Sequence, residues 1–331
     1  MNDSRILVIA PAWIGDLIMS ISFLSALSKF KTHSKIDLLV NENLLDVAKS
    51  IPYIHNIIIS KTQHGKLSLF YRIKLGINLR RHNYSHCYIL SNSLKSSIVP
   101  LVAGIKNRVS YLGEFRYGFI NIIKENLQRE EGMANRYLNL IDKRYSEDFR
   151  PTINHTVDLE HVFNKFDLKK RFIALCPDAE FGPAKRWPTT KWLELAESIQ
   201  NDFQVVFIGL DNSMNQDIMN LNNNNLLNLI GKTSLDDVLK ILQQASCVVA
   251  NDSGLMHIAA ALGRPVVGIY GSSSPKYTPP LIEERKRMIL YKNLDCSPCY
   301  KRVCPLLHLD CLNNIPADNV KDSISKLVKQ I

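Results

Sequence analysis

The stretch NDSGLMHIAAALGRPVVGIYGSSSP, residues 251–275, contains a polar turn, a short apolar helix and an apolar strand in direct succession. The turn holds a carboxylate (Asp252), a hydroxyl (Ser253) and a glycine (Gly254) where the helix would begin. Because the apolar run CVVA precedes the turn, the pattern reads strand, helix, strand. A helix that connects two buried strands is typical of a parallel sheet, so this stretch predicts an α/β fold.

The same alternation of apolar runs and helix-like segments occurs in both halves of the chain. In the first half the runs are RILVIA (5–10), KIDLLV (35–40), HNIIIS (55–60) and HCYILS (86–91), and the series restarts at RFIALC (171–176). The polar segment 150–170 separates the two series, and PADNVKDSISKLVKQI (316–331) predicts a final helix. We therefore predict two doubly wound parallel-sheet domains, residues 1–160 and 161–331, with a C-terminal helix.

Length and composition predict a soluble globular protein. The chain has 331 residues, of which 46% are hydrophobic and 22% are charged. Its apolar runs are shorter than the roughly 20 residues that a membrane-spanning helix requires. The start, MNDSRILVIAPAW, lacks the pattern of an export signal, so we expect a cytoplasmic protein.

The net charge of +10 is concentrated in the first half of the chain. Residues 1–165 contain 22 Lys and Arg against 14 Asp and Glu, whereas the remainder contains 19 against 17. Between Ile51 and Pro100 there are seven basic residues and no acidic residue. Such a region attracts an anionic partner, which could be nucleic acid, an anionic membrane face or a phosphorylated substrate. A solvated basic surface without a partner is the alternative.

Three turns follow predicted strands, at the sheet edge where open α/β folds bind ligands. The first lies in RILVIAPAWIGDLIMS (5–20) and has one glycine instead of the G-x-G-x-x-G pattern, which argues against a nicotinamide or flavin site. Asp16 heads the next helix. It could cap that helix, or it could act as a general base that faces a cleft between the domains.

The second turn is CPDAEFGPAKRWP (176–188), in which Gly182 and three prolines shape the loop and Lys185 and Arg186 add positive charge. Backbone N–H groups and a lysine suit a diphosphate leaving group, although a surface loop with Trp187 packed inward is also possible. In the third turn, Ser253 and Gly254 again suit phosphate. Asp252 would repel phosphate, so it orders the turn or accepts hydrogen bonds from sugar hydroxyls.

Four of the seven cysteines cluster in CSPCYKRVCPLLHLDC (296–311), together with His308. The C-x-x-C pair could bind zinc, but the later spacings match no familiar zinc ribbon. We favour packed or inert thiols at Cys296, Cys299, Cys304 and Cys311, and we expect no required metal or cofactor.

Several motifs, in order along the chain, resemble the ADP-heptose:lipopolysaccharide heptosyltransferases, glycosyltransferase family 9. They are the P-x-W-x-G-D start at Pro11, AEFGPAKRWP (179–188) and the opening stretch (251–275), and the resemblance runs from about Arg5 to Val320. Segments 90–121 and 296–311 resemble the members whose acceptor already carries one heptose. The family implies a GT-B architecture of two facing Rossmann-like domains, with the acceptor on the first and the nucleotide sugar on the second.

The resemblance implies transfer of L-glycero-D-manno-heptose, with inversion, from ADP-heptose to heptosyl-Kdo2-lipid A. The acceptor would lie at the cytoplasmic face of the inner membrane of a Gram-negative bacterium, which suits the basic first half. Asp16 matches the family's catalytic base, and Lys185 matches the lysine that neutralises the diphosphate. The other implied donor-site residues are Glu180, Phe181, Asp252, Ser253, Gly254 and His257. From motif position and charge, the acceptor-contact candidates are Lys95, Arg108, Glu114 and Arg116.

One loop departs from the family pattern. Members often carry a glutamate after the second strand of the second domain, whereas this chain has GLDNSMNQD (209–217). Asp211 or Asp217 would have to replace it, or the contact is absent.

Other functions are compatible with tandem α/β domains, because fold alone does not define function. A nucleotide-binding oxidoreductase is disfavoured by the missing glycine pattern. A basic nucleic-acid-binding protein is disfavoured because no recognisable binding module is present. The nearest alternative is a heptosyltransferase that acts on a different core acceptor, either the unheptosylated one or a later one.

Overall fold

The computed structural model describes residues 4–62, 65–156, 158–210 and 225–329. The chain divides into two compact units, Met1–Ile153 (unit 1) and Asn154–Ile331 (unit 2). This division lies a few residues before the predicted boundary at 160/161. The assignment of acceptor binding to the first domain and donor binding to the second stays a prediction.

Unit 1 alternates strands and helices from its first described residue. Its elements are β1 (Ser4–Ile9), α1 (Ile14–Phe30), β2 (Ser34–Asn41), α2 (Leu45–Lys49), β3 (Asn56–Ser60), α3 (Leu69–Leu79), β4 (His86–Ile89), α4 (Ile98–Val102), β5 (Asn107–Tyr111), β6 (Ile122–Lys124) and α5 (Met133–Leu138).

The strands of unit 1 form one parallel sheet in the order β3-β2-β1-β4-β5-β6. The chain moves outward in one direction from β1 to β3 and then crosses to β4 on the other side of β1. Connections from β1 and from β4 therefore leave in opposite directions and open a crevice at the carboxyl edge. The helix after β1 is α1, which is buried along most of its length, from Leu17 to Leu27.

Unit 2 repeats the pattern. Its elements are α6 (Leu159–Phe166), β7 (Phe172–Cys176), α7 (Thr189–Ile199), β8 (Gln204–Phe207), β9 (Leu226–Asn228), α8 (Leu235–Gln244), β10 (Cys247–Asn251), α9 (Gly254–Ala261), β11 (Val266–Tyr270), β12 (Arg287–Tyr291), α10 (Asp310–Asn313) and α11 (Ala317–Val328).

The second sheet is also parallel and has the order β12-β11-β10-β7-β8-β9, so its strand order reverses between β7 and β10. The strands β7, β10 and β11 are buried throughout, as expected for a parallel sheet with helices on both faces. The predicted C-terminal helix is α11, whose buried positions Val320, Ile324 and Leu327 join the core of unit 2.

The sequence-based prediction of tandem doubly wound parallel sheets is confirmed. The opening stretch forms the predicted sequence of strand, turn, helix and strand, from β10 through α9 to β11. Across the described ranges, none of the helices is sufficiently long and apolar to span a bilayer.

Candidate functional site

The main candidate site lies at the carboxyl edge of the second sheet, where its strand order reverses. The loop 177–188 follows β7, and the turn 251–253 follows the adjacent strand β10. Lys185 on the loop and Asp252 on the turn form an ion pair, with 2.5 Å between Nζ and Oδ2. Their side chains are 15% and 3% exposed. The fold thus brings together two residues that are 67 positions apart in the sequence.

Asp252 also contacts two other polar side chains. Thr278 Oγ1 lies 3.2 Å from Oδ1 and 3.3 Å from Oδ2, and His257 Nε2 lies 3.7 Å from Oδ1. Burial alone would raise the pKa of Asp252. The hydrogen bond from His257 and the positive charge of Lys185 outweigh burial and hold the pKa well below its ordinary value. Asp252 is therefore a buried anion that orients Lys185.

The helix α9 begins at Gly254, two residues after Asp252, and adds hydrogen-bond donors to this edge. Ser253 is its N-cap residue, but its side chain makes no capping hydrogen bond. Within the described residues, the buried hydroxyl oxygens of Ser253, Ser272 and Ser273 have no hydrogen-bond partner. Ser272 and Ser273 follow β11, which is the strand next to β10. Unpaired hydroxyls beside a helix N-terminus are suited to bind an anionic oxygen.

The loop that carries Lys185 is anchored to the sheet at Trp187 and Asn251. The Asn251 amide donates to Pro177 O at 2.5 Å and accepts from the Trp187 backbone N–H at 3.1 Å. The Trp187 indole is 1% exposed and donates to Ile315 O at 3.0 Å. Trp187 thus packs inward, as the alternative interpretation of this loop proposed, and this anchoring fixes the backbone next to Lys185.

The cysteine-rich segment supports the same loop from the other side. Ala184 N–H donates to Arg302 O at 3.0 Å. A Cβ on Gly182, whose φ is +147°, would lie 2.6 Å from that oxygen, so this position requires glycine. The Phe181 ring has Lys185 Nζ at 5.0 Å and Arg302 Cζ at 5.5 Å from its centroid. The predicted donor residue Glu180 is exposed at the start of this loop.

Three further residues of the site, Asn251, Thr278 and Arg302, were not predicted from the sequence. Thr278 lies far from Lys185 in the sequence and belongs to no recognisable motif, whereas Arg302 lies in the cysteine-rich segment 296–311, where only the cysteines and His308 were considered. Asn251 ends β10 and was noted only as part of the turn. The signal available for Asn251 was its position at the end of the apolar run CVVA, which predicts that its amide is buried. A buried amide normally forms hydrogen bonds, and here these hold the neighbouring loop.

In unit 1, Asp16 lies at the corresponding edge of the first sheet. Helix α1 starts at Ile14 with Trp13 as its N-cap residue, so Asp16 belongs to the first turn instead of the capping position. A carboxylate there is favoured by the helix dipole. The side chain is half-buried. Its assignment as the general base stays a prediction.

The four acceptor candidates occupy different environments in unit 1. Lys95 lies half-buried in a short 3-10 helix, Leu94–Ser97, and Glu114 is exposed. Glu114 accepts a hydrogen bond from Leu94 N–H at 2.7 Å. The Arg108 guanidinium donates to three carbonyl oxygens, those of Ile105, Gly118 and Phe119, at 2.6, 3.2 and 2.6 Å. Lys95 and Glu114 lie at the loop after β4. Arg108 instead uses its guanidinium to link the residues before β5 to those before β6.

Arg116 is completely buried. Its guanidinium donates to the Ser91, Ser93, Leu112 and Tyr111 carbonyl oxygens and to the Ser96 and Ser110 hydroxyls. Burial lowers the pKa of Arg116 to about 10. This geometry does not support a direct contact with an acceptor. Arg116 instead fixes the loop 91–96 at the carboxyl end of β4.

The four clustered cysteines line one small cavity, of about 20 Å³, together with His308. Hydrogen bonds from backbone N–H groups, that of Leu309 first, lower the pKa of Cys304, while burial raises the pKa of Cys311 to about 11. Within the described ranges, no group of three or more His, Cys, Asp or Glu side chains is arranged to hold a metal ion. The cysteines at 296, 299, 304 and 311 are free thiols in this structure.

The substitutes considered for the missing glutamate, Asp211 and Asp217, lie outside the described residues. Their contribution to the site therefore stays a prediction.

Fold and site together define a class of protein with two doubly wound α/β units, one of which has a lysine, unpaired hydroxyls and a helix N-terminus at its strand-order reversal. The model of glycosyltransferase family 9 (heptosyltransferase) matches residues 72–310, and the chain belongs to this family. The predicted family, and with it an enzyme of the glycosyltransferase class, is confirmed.

Three comparisons illustrate the similarity. The chain is 38% identical over 298 residues to lipopolysaccharide heptosyltransferase 2 of Escherichia coli, with 84% of this chain and 85% of the relative covered. It is 34% identical to lipooligosaccharide heptosyltransferase 2 of Haemophilus influenzae, with 85% and 87% covered. The solved structure of E. coli ADP-heptose lps heptosyltransferase II superimposes with a TM-score of 0.84 at 32% identity, over 98% of this chain and 99% of that chain. The predicted GT-B fold is confirmed by this likeness.

Proposed function

We propose that the protein transfers L-glycero-D-manno-heptose from ADP-heptose, with inversion, to heptosyl-Kdo2-lipid A in the lipopolysaccharide inner core. The observation that carries the proposal is the 38% identity, over most of the chain, to a lipopolysaccharide heptosyltransferase 2. The arrangement of Lys185, Asp252 and the α9 N-terminus agrees with a donor that leaves as a diphosphate.

At the donor, the chemistry required is neutralisation of the charge that develops on ADP. An ammonium group has three N–H donors, so Lys185 can keep its bond to Asp252 and still donate to phosphate oxygens. The Ser253 hydroxyl and the N–H groups at the start of α9 supply further donors without reorganisation. Because these groups stabilise the negative charge of the departing diphosphate, ADP needs no general acid to protonate it as it leaves.

At the acceptor, the hydroxyl must lose a proton as it attacks. In the proposal Asp16 accepts this proton while the acceptor oxygen bonds to the anomeric carbon of the heptose. The bond from that carbon to the β-phosphate oxygen breaks, and its electron pair stays on ADP. Attack from the face opposite ADP inverts the anomeric configuration. No metal or other cofactor is part of the proposal.

The partners in the proposal are ADP-heptose, the lipid-anchored core acceptor and an anionic membrane surface, and nucleic acid is not among them. The excess of basic residues in 1–165 suits an acceptor with Kdo carboxylates and lipid A phosphates. Lys95 and Glu114, at the edge of unit 1, are its proposed contacts. The enzyme would work in the cytoplasm of a Gram-negative bacterium, peripheral to the inner face of the inner membrane.

The test measures transfer from ADP-heptose to two purified acceptors, Kdo2-lipid A and heptosyl-Kdo2-lipid A. We expect product on the heptosylated acceptor only. Asp16→Asn should lower kcat by at least about 100-fold, the lower range for loss of a general base, without changing the Kd for ADP. Product on Kdo2-lipid A would indicate the earlier acceptor, and product on neither would contradict the proposed reaction. An Asp16→Asn enzyme of normal rate would remove Asp16 from the mechanism.

A further inference from the structure

Helix α3 of unit 1 has an outward face that combines apolar and basic side chains. We call it the α3 face, formed by Lys66, Leu67, Phe70, Lys74, Ile77 and Arg81. All six side chains are exposed. Phe70 is 88%, Leu67 51% and Ile77 50% exposed, whereas apolar side chains of this size are usually buried in a soluble protein.

Helical spacing places three of these residues together, while Lys66 and Leu67 lie just before the helix, whose N-cap residue is Ser68. Positions 70, 74 and 77 are separated by four and three residues, which are neighbours on the surface of a helix, and Arg81 continues the row after the helix ends. The opposite side of the helix, at Arg72 and Leu79, is buried.

The α3 face cannot turn inward, because the opposite side of the helix is fixed. A Cβ on Gly76 would lie only 2.7 Å from Val102 Cβ, so α3 and α4 are in backbone-to-side-chain contact there. The Arg72 side chain donates from Nε to Leu67 O at 2.8 Å. The apolar residues at positions 67, 70 and 77 are therefore held in an outward orientation by the packing of unit 1.

The charge of the surrounding sequence indicates what this surface binds. The segment 51–100 contains seven basic residues and no acidic residue, and three of the seven belong to the α3 face. A surface with exposed apolar side chains and cations binds an anionic membrane interface through burial of its apolar area and through electrostatic attraction to the lipids. Nucleic acid would pair with the cations but would leave Leu67 and Ile77 exposed to water.

We propose that the α3 face docks on an anionic bilayer surface. Phe70, Ile77 and Leu67 enter the boundary between headgroups and acyl chains, and Lys66, Lys74 and Arg81 lie at the lipid phosphates. The inference rests on the proposed function in that a lipid-anchored acceptor requires the enzyme at such a surface. It goes further by assigning one helix to this role.

The first test is co-sedimentation of the full chain with vesicles. We expect binding to vesicles of equal parts phosphatidylglycerol and phosphatidylcholine and much weaker binding to phosphatidylcholine alone. The variant Lys66→Gln/Lys74→Gln/Arg81→Gln should bind the anionic vesicles at least about tenfold more weakly, since each cation near such a surface contributes about fivefold. The variant Phe70→Ser/Ile77→Ser should lose binding by a similar factor, and its loss should persist at high salt.

The matched control is Lys232→Gln/Leu307→Asn, which removes an exposed cation and an exposed apolar side chain from unit 2. We expect this variant to bind the vesicles like the wild type. Equal binding by wild type and α3-face variants, or no binding by the wild type, would overturn the proposal. It would also be overturned if the wild type were a dimer and the α3-face variants monomers, because a second copy would then cover this face.

A second readout separates this inference from the proposed function. With a delipidated, soluble heptosyl-Kdo acceptor, α3-face variants should transfer heptose at the wild-type rate, and with acceptor embedded in anionic vesicles they should be slower by at least about tenfold. Failure of the wild type on both acceptors would contradict the proposed reaction while leaving the vesicle-binding result in place. Equal rates for wild type and variants on embedded acceptor would overturn the role of the α3 face.

Discussion

At the scale of single residues, Asp252 shows how a buried charge is made tolerable by its neighbours. Its carboxylate contacts Lys185, Thr278 and His257, which come from a loop, a turn and a helix of unit 2. A buried ion pair is a weak source of net stability, but removal of one partner leaves the other charge uncompensated. The pair is therefore expected to matter both for stability and for the position of the lysine.

We predict that Asp252→Asn lowers the free energy of unfolding at pH 7 by about 3 kcal/mol, because it leaves Lys185 buried without a counter-charge. The folded-state pKa of Asp252 lies below its unfolded value. Its stabilisation is thus complete above the ordinary pKa of an aspartate and disappears as the pH falls through the folded-state pKa. Denaturant titrations of both proteins from neutral to acid pH measure this difference.

The control for that experiment is Glu284→Gln, which breaks an exposed ion pair with Arg287 in the same unit. Exposed pairs contribute little, so this variant should match the wild type at every pH. If Asp252→Asn lost no stability at pH 7, or if its deficit were unchanged at acid pH, the assignment of Asp252 as a buried anion would be wrong.

At the scale of elements, the loop after β4 is held by the segment that follows β5. Arg116 donates to oxygens on both sides of this junction, and a Cβ on Gly113 would lie 2.5 Å from Asn92 O. The loop 91–96 is therefore built on a rigid support at the carboxyl edge of the first sheet. Arg116 and Lys95, which the sequence placed in one group of acceptor contacts, have different roles in this arrangement.

We predict that Arg116→Met and Lys95→Gln separate these roles. Arg116→Met removes every hydrogen bond of a buried guanidinium and should lower the free energy of unfolding by at least about 3 kcal/mol, since bonds to charged groups contribute about 1.5–3 kcal/mol each. Lys95→Gln should leave stability unchanged and raise the KM for the acceptor several-fold. Thermal unfolding and steady-state kinetics measure the two effects.

The Kd for ADP serves as the internal control, because both residues lie in unit 1 and the proposed donor site lies in unit 2. Neither variant should alter it. A stable Arg116→Met protein would show that the guanidinium network is dispensable, and a normal acceptor KM in Lys95→Gln would remove Lys95 from the acceptor site.

At the scale of the whole molecule, the two units have the same strand order but different charge. The first 165 residues carry most of the net charge of +10, whereas the edge of the second sheet offers one lysine, unpaired hydroxyls and a helix N-terminus. The proposed binding of a lipid-anchored acceptor by unit 1 and of a nucleotide donor by unit 2 would give a physical reason for this asymmetry.

We predict that ADP at about one hundred times its Kd stabilises the protein by about 2.7 kcal/mol, through binding to the folded state alone. Intrinsic fluorescence follows the unfolding, because Trp187 and Trp192, two of the three tryptophans, lie in the core of unit 2. Lys185→Gln should abolish the shift at the same ADP concentration, and AMP, which lacks the β-phosphate, should give a smaller shift than ADP. An undiminished shift in Lys185→Gln would place the diphosphate elsewhere.

The sequence by itself determined the two parallel sheets, because periodicity and the lengths of apolar runs are local properties. It also identified Lys185, Ser253 and Gly254 as residues suited to a diphosphate, since each lies in a turn directly after a strand. The segment 5–20 alone was also enough to argue against a dinucleotide site at the first turn, because it lacks the G-x-G-x-x-G pattern.

Only the tertiary structure decided which of these residues meet. The Lys185–Asp252 ion pair, the contact of Thr278 with Asp252 and the packing of Arg302 on Phe181 join segments that are distant in sequence. Arg116 was expected to contact the acceptor, but the structure buries it completely. Whether a guanidinium faces a ligand or the core depends on the packing around it, which the sequence does not show. Exposure likewise depends on packing. The sequence therefore showed only the positive charge of the α3 face, and the structure was needed to show that its apolar side chains are exposed.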